Sequence, residues 1–209
     1  MPSLILASTS FRRQELLRWT GLKFEIAEPN FEESQLKVRD FPSTKSLVES
    51  LSFGKAMSLI ERFPDAIIIA GDTLIELDGE IIGKPKDLDH AREILKRLSG
   101  NSHHVFTGIT IVDTKTMKSD TQSVESVVLF KKLSEKQIED YVQSGEPLGK
   151  AGAYGIQSGA REFVDNIQTS WTNVIGLPLP KVCEMLEEFG VTVPVDIHNV
   201  VEEYLGVRE

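Results

Sequence analysis

Short apolar runs alternate with amphipathic stretches along most of this chain. Residues 4–7 (Leu-Ile-Leu-Ala) form an unbroken apolar run with the length of a buried strand. Ser8-Thr9-Ser10 then turns the chain into a helix predicted from residue 11, with Leu16, Leu17 and Trp19 on its apolar side. Ser10 is placed to cap that helix and Gly21 to end it in a left-handed conformation. Residues 23–27 alternate like a strand and lead into an acidic loop over 28–35. Residues 43–62 read as a second helix, with Val48, Leu51, Ala56, Leu59 and Ile60 apolar. Lys55 lies within it, where an exposed side chain is the default. Residues 66–70 (Ala-Ile-Ile-Ile-Ala) are the most hydrophobic short run, predicted as a central strand that delivers Gly71-Asp72-Thr73 at its end. Residues 74–77 and 80–83 flank Asp78-Gly79, a type I′ hairpin signal.

The second half continues the alternation. A helix over residues 89–98, with Leu88, Ala91, Leu95 and Leu98 on one side, stops at Gly100. Strands over 105–112 and 122–131 read as antiparallel neighbours. Ser134 and Gln137 have capping-box spacing, and Leu133 and Ile138 sit at hydrophobic-staple positions, so a helix runs to Ser144 and closes at Gly145. Residues 146–159 carry too many glycines for regular structure. Their apolar members Ala151, Ala153, Tyr154 and Ile156 suit a loop whose backbone approaches a ligand. A strand over 161–168 and a helix over 180–189 follow. The tail from 191 suggests an extended piece and a small amphipathic helix on Val200, Tyr204 and Leu205. Strands and helices alternate with hairpins included, which predicts a mixed-sheet α/β protein. No repeat or linker divides it, so residues 1–209 read as one domain, with 191–209 as a C-terminal extension.

Charge and composition narrow the class. The net charge of −9 over 209 residues disfavours a nucleic acid polymer held by its backbone, but leaves room for a nucleotide met by a local basic pocket and a metal. The lone Cys183 excludes an internal disulfide and a cysteine-based zinc site. No apolar run approaches membrane length and no signal-peptide pattern precedes Pro2-Ser3, so a cytoplasmic protein without membrane contact is expected.

Familiar catalytic signatures are missing: there is no P-loop, no GxGxxG opening a helix and no GxSxG elbow. The four histidines are scattered, and the adjacent His103 and His104 would point to opposite faces of a strand. What remains is a set of polar residues at element ends: Ser8, Ser10, Arg12, Arg13, Glu33, Lys55, Asp72, Thr73, Lys84, Lys150 and Gln157. Hydroxyls and guanidinium groups around a helix N-terminus suit a phosphate, although a capped helix with two solvated arginines has the same pattern. The cations can neutralise a polyphosphate, and two carboxylates can hold a hard divalent ion. A carboxylate that also orients water gives phosphoanhydride hydrolysis.

Five segments, LASTSFRRQELL, AGDT, GEIIGKP, GEPLGKAGAYGIQ and NVIGLPL, resemble in order and separation the Maf family of nucleoside triphosphate pyrophosphatases, linked in bacteria to inhibition of septum formation. The resemblance spans about residues 3–190. It implies a mixed, twisted sheet flanked by helices, with two lobes around a central cleft as in inosine-triphosphate pyrophosphatases. It also implies release of pyrophosphate from a nucleoside triphosphate. Asp72 matches the family's general base. Arg12, Thr73 and Gln157 match positions tied to thymine or uracil recognition. Ser8, Ser10, Arg13, Lys55 and Lys84 go to the phosphates, and Glu33 with Asp72 to a divalent cation (Mg, Mn or Co). A homodimer is left open.

The chain departs from the family at Phe11, where proline is usual, at Ala70-Gly71, which inverts Gly-Ala, at Gly149, where aspartate is common, and at residues 158–160. Hydrolysis of dTTP and UTP is the leading expectation. A pyrophosphatase for modified nucleotides such as 7-methyl-GTP, and a nucleotide-binding regulator of division with little catalysis, are the alternatives.

Overall fold

The computed structural model describes residues 2–207. Met1 and the last two residues of the 191–209 extension lie outside them. The elements run β1 (Ser3–Ala7), α1 (Phe11–Trp19), β2 (Glu25–Ala27), α2 (Thr44–Met57), β3 (Ala66–Leu77), β4 (Glu80–Ile82), α3 (Leu88–Leu98), β5 (Ser102–Asp113), β6 (Ser119–Phe130), α4 (Glu135–Gln143), β7 (Val164–Gln168), α5 (Trp171–Ile175), α6 (Leu179–Glu188) and α7 (Ile197–Leu205). Among the described residues the seven strands form one sheet in the order β2-β1-β3-β5-β6-β7, with β4 hydrogen-bonded to β3. β1 is parallel to β2 and β3, and the remaining pairings are antiparallel, so the sheet is mixed.

The central run is apolar on both sides because β3 is covered on both faces. Ile67, Ile69 and Ile75 join the larger core with Leu16 and Leu17 of α1, Leu95 of α3 and Val182 of α6. Ile68 and Ala70 alternate to the other face, against Ala56 of α2, Leu59, and Ile5 and Ala7 of β1. β3 does not end at Ala70, as the sequence suggests. It runs on to Leu77, because β5 pairs with it from Ile67 to Glu76. What ends there is β1, whose last pair is Ala7 with Ala70. Asp72 therefore sits inside a strand, two residues beyond the point where its parallel neighbour stops, and the gap left by β1 opens a hollow beside it.

α2 is shorter than expected, ending at Met57 with turns over the next five residues. It starts as a capping box in which Ser43 accepts from the Ser46 amide. It lies unusually close to the sheet at Gly108: a Cβ built there would fall 2.1 Å from the carbonyl oxygen of Val48. Val48 and Lys55 are seven residues apart and share a helix face. Gly108 is the register partner of Asp72. The close approach thus directs Lys55 down onto Asp72.

Several boundaries follow local chemistry. The Asp78-Gly79 turn has both residues at positive φ (52° and 81°), as a type I′ hairpin requires. The Ser134–Gln137 capping box is formed, and Leu133 and Ile138 are buried. Ser10 precedes α1 but its hydroxyl makes no capping bond; instead Ser8 Oγ accepts from the Ser10 amide at 3.2 Å. Asp87, overlooked in the sequence, caps α3 through the His90 amide at 2.8 Å. β7 starts at Val164 because residues 159–163 wind into a 3-10 turn. In the tail, α7 buries Ile197, Val201 and Leu205, whereas Tyr204 is exposed and stacks on Trp19 of α1 at 4.5 Å. Val200 is half-buried and flanks that face.

Gly108→Ala should force α2 off β5 and cost about 1–3 kcal/mol, the usual range for overpacking. Urea denaturation checks the value; an unchanged midpoint would mean that the helix is not pinned there.

Candidate active site

Every polar residue singled out from the sequence lines one cavity of about 790 Å³, open to solvent beyond the end of β1. That volume suits a ligand of nucleotide size. The cavity holds five cations (Arg12, Arg13, Lys55, Lys84 and Lys150) and three carboxylates (Glu28, Glu33 and Asp72), an excess of two positive charges in a chain of net charge −9.

The floor is built by β3. Asp72 is buried at 9% exposure on the α2 side of the sheet. Lys55 is not the exposed lysine expected by default: it is 8% exposed, and its ammonium donates to Asp72 Oδ1. The same ammonium lies 2.7 Å from Glu33 Oε1. Lys55 therefore joins the two carboxylates that the family resemblance assigns to a metal, instead of standing free for a phosphate. The two carboxylates offset part of the desolvation that burial imposes on the ammonium.

Glu33 reaches this position from the loop over residues 28–35. Phe31 of that loop lies against Gly54 of α2, so closely that a Cβ at residue 54 would stand 2.4 Å from two ring carbons. The missing side chain is the seat for the aromatic ring, and the seated ring brings Glu33 to Lys55.

Thr73 points to the opposite face from Asp72, by strand alternation. Its Oγ1 accepts from Arg13 Nη2 at 2.9 Å and shares a hydrogen bond with Thr107 Oγ1. Arg13 Nε donates to the carbonyl of Gly176 at 2.8 Å. Burial pulls the Arg13 pKa down, and the nearby Asp72 pulls it back up. The Gly176 carbonyl is held by α5, a helix that the sequence did not disclose. α5 is anchored by the fully buried Asn173, which donates to Val105 O and Ser126 Oγ at 3.0 Å each. The NVIGLPL segment thus fixes Arg13 from behind.

The facing wall comes from β4 and residues 146–158. Lys84 and Gln157 are exposed on it. Arg12 is half-buried opposite, with burial lowering its pKa, and makes no hydrogen bond or ion pair among the described residues. Glu146 is a hub that sequence reasoning missed, although it stands in the quoted GEP segment. Its Oε1 accepts from Tyr141 Oη at 2.9 Å and from Ser158 Oγ, and its Oε2 accepts from the Gly159 amide at 3.3 Å. Lys150 donates to the Glu146 carbonyl, and the Gly155 amide donates to Tyr141 Oη at 3.1 Å. These bonds give a glycine-rich loop a definite shape. Behind it Tyr154 bonds His103 Nε2 at 2.8 Å. His103 and His104 do face opposite ways, His104 bonding the exposed Glu125. Cys183 is buried and its thiol is pushed up to about 12 by burial, so it is no nucleophile.

A family model described as Maf-like protein matches residues 3–189. The chain belongs to the Maf-like family. Among similar proteins is a dTTP/UTP pyrophosphatase of Symbiobacterium thermophilum, 45% identical over 193 residues, which cover 91% of this chain and 95% of the relative. One of Clostridium botulinum is 45% identical over 194 residues, covering 91% and 99%. Another, of Syntrophus aciditrophicus, is 41% identical over 197 residues, covering 94% and 95%. The Maf-like segments quoted from the sequence converge on the cavity: LASTSFRR, AGDT and the Lys84 turn line it directly. The described part of the tail beyond the family match braces α1 and α6 and contributes no lining residue.

Two outcomes test this construction. Gly54→Ala should unseat Phe31 and speed amide exchange over residues 28–35, while the better helix propensity of alanine offsets most of the stability loss; unchanged exchange there would separate Glu33 from the helix. Burial also holds the His103 imidazole down at about 4, against an ordinary 6.5. The unfolded chain takes up that proton first on acidification. The folded state therefore loses stability from about pH 6.5 down to about 4. At 1.36 kcal/mol per pH unit this loss is on the order of 3 kcal/mol. His103→Gln should flatten that part of the profile, measured as urea midpoints across the same range.

Proposed function

We propose that this chain hydrolyses dTTP and UTP to the nucleoside monophosphate and pyrophosphate, acting as a single catalytic domain in the cytoplasm. The activity for which its relatives are named supports the substrate. Among the described residues no helix is long and apolar enough to cross a membrane. The observation that carries the reading is Asp72, a buried carboxylate at the floor of a cavity with excess positive charge. Charge stabilisation supplies most of the rate in phosphoryl chemistry, and a carboxylate beside the phosphates can take the proton of the attacking water.

Glu33 and Asp72 fit a divalent cation by chemistry: both offer hard carboxylate oxygens, and both already share one cationic partner. Among the described residues no group of three or more His, Cys, Asp or Glu gathers as a closed metal cage. Phosphate oxygens and water would complete the coordination, as is usual for magnesium, manganese or cobalt on a nucleotide. A bound ion would supply Lewis acidity to the phosphoanhydride and offset the charge that develops there. The other tasks fall to side chains. Asp72 accepts a proton from the water that attacks the α-phosphorus. Arg13, Lys84 and Lys55 bind the phosphate oxygens, with Ser8 and Ser10 at the start of α1. Arg12 and Gln157, on opposite walls, read the base. Thr73, whose hydroxyl is engaged by Arg13 and Thr107, acts on specificity through the placement of Arg13.

Product analysis with dTTP, UTP, CTP and 7-methyl-GTP, with and without chelator, tests the assignment. Pyrophosphate and monophosphate should form fastest from dTTP and UTP and stop with chelator; turnover confined to the purine would overturn it. Asp72→Asn should lower kcat by about 10²–10⁴-fold, the range for a lost general base, while nucleotide binding persists. Gln157→Ala should raise KM for dTTP and UTP more than for 7-methyl-GTP. An equal effect on all three would remove Gln157 from base recognition.

A further inference from the structure

The proposed hydrolysis leaves the position of Lys55 unexplained. Its side chain is only 10% exposed, and its ammonium touches Asp72 Oδ1 and Glu33 Oε1 at once. Those are the carboxylates given above to the divalent cation. Arg13 adds a further positive charge that acts on both of them. A metal ion arriving alone would place three positive centres against two negative ones in a partly desolvated hollow. A triphosphate reverses that balance, because its oxygens offer the ammonium a new partner. The means for a move are present: a four-carbon stem with several rotatable bonds, and on one side Glu33, whose side chain is 57% exposed.

We propose that Lys55 is an exchangeable internal counter-ion, which holds Asp72 and Glu33 together in the ligand-free protein and passes to the phosphates when nucleotide binds, so that nucleotide and divalent cation bind cooperatively. This rests on the substrate and cation assignments above. The coupling is reciprocal by linkage: whatever weakens the hold of Lys55 on the carboxylates favours the metal, and whatever removes its charge disfavours the phosphates.

The signature is a pair of opposite effects in one variant. Binding of Mn²⁺ to nucleotide-free protein is followed by the electron paramagnetic resonance of the free ion. Binding of the non-hydrolysable α,β-methylene analogue of dTTP is followed by calorimetry in excess chelator. Lys55→Met should bind Mn²⁺ about tenfold more tightly and the metal-free analogue about tenfold more weakly, within the usual span of site-to-site coupling. Lys55→Gln should show the same two signs. A lysine that merely braced the fold would weaken both, and that result, or an unchanged Mn²⁺ affinity, overturns the proposal. If neither variant folds, the native protein decides through the ¹⁵N resonance of the Lys55 ammonium. It should shift when the analogue is added in chelator; a resonance that does not move overturns the proposal. Native protein that binds no nucleotide overturns the functional reading itself, whereas nucleotide hydrolysis without the opposite effects overturns only the role of Lys55.

Discussion

The bond on which the site depends is the one between a buried ammonium and a strand carboxylate, Lys55 to Asp72. Neither partner tolerates that depth alone, since a charge taken from water without compensation costs several kcal/mol. Their pairing requires α2 to lie against the sheet at a separation that only Gly108 allows, with the Val48 carbonyl resting where a side chain would otherwise stand. It also requires β1 to stop at Ala7, so that Asp72 has a hollow beside it rather than a neighbouring strand. Packing and chemistry are one constraint here: the same helix approach that closes the smaller core places the cation.

The two walls of the cavity are held by different means. One is part of the folded core. Arg13 is clamped between the Thr73 hydroxyl and the Gly176 carbonyl, and the chain of bonds continues through Thr107 into α5 and the buried Asn173. The other is a glycine-rich loop, seated on the core by Ala153, Tyr154 and Ile156. It keeps its shape because Glu146 accepts from Tyr141, Ser158 and Gly159 together.

Nothing in this arrangement uses a P-loop. Separate cations are brought together by tertiary structure instead, and a chain of net charge −9 carries a cavity with an excess of positive charge. A negative global charge disfavours polyanions, whereas a local excess of positive charge attracts small anions. The described part of the tail supports α1 through Tyr204 on Trp19 and lines none of the cavity.

The sequence by itself determined what depends on neighbours in the chain. The apolar run at residues 66–70, the Asp78-Gly79 turn and the Ser134 capping box could be read directly, because propensity, turn chemistry and capping act over a few residues. The mixed α/β class followed from their alternation, and the family segments named the polar residues that line the cavity. Tertiary structure alone decided how those residues meet. Lys55 reads as an exposed helix residue until α2 is laid on Gly108. Asp72 reads as the end of a strand until β5 is paired beyond it. Glu146 reads as part of a flexible turn until Tyr141 and Ser158 close on it. Each is a contact between residues distant in sequence or packed across elements, and the energy of such contacts has no signature in local pattern.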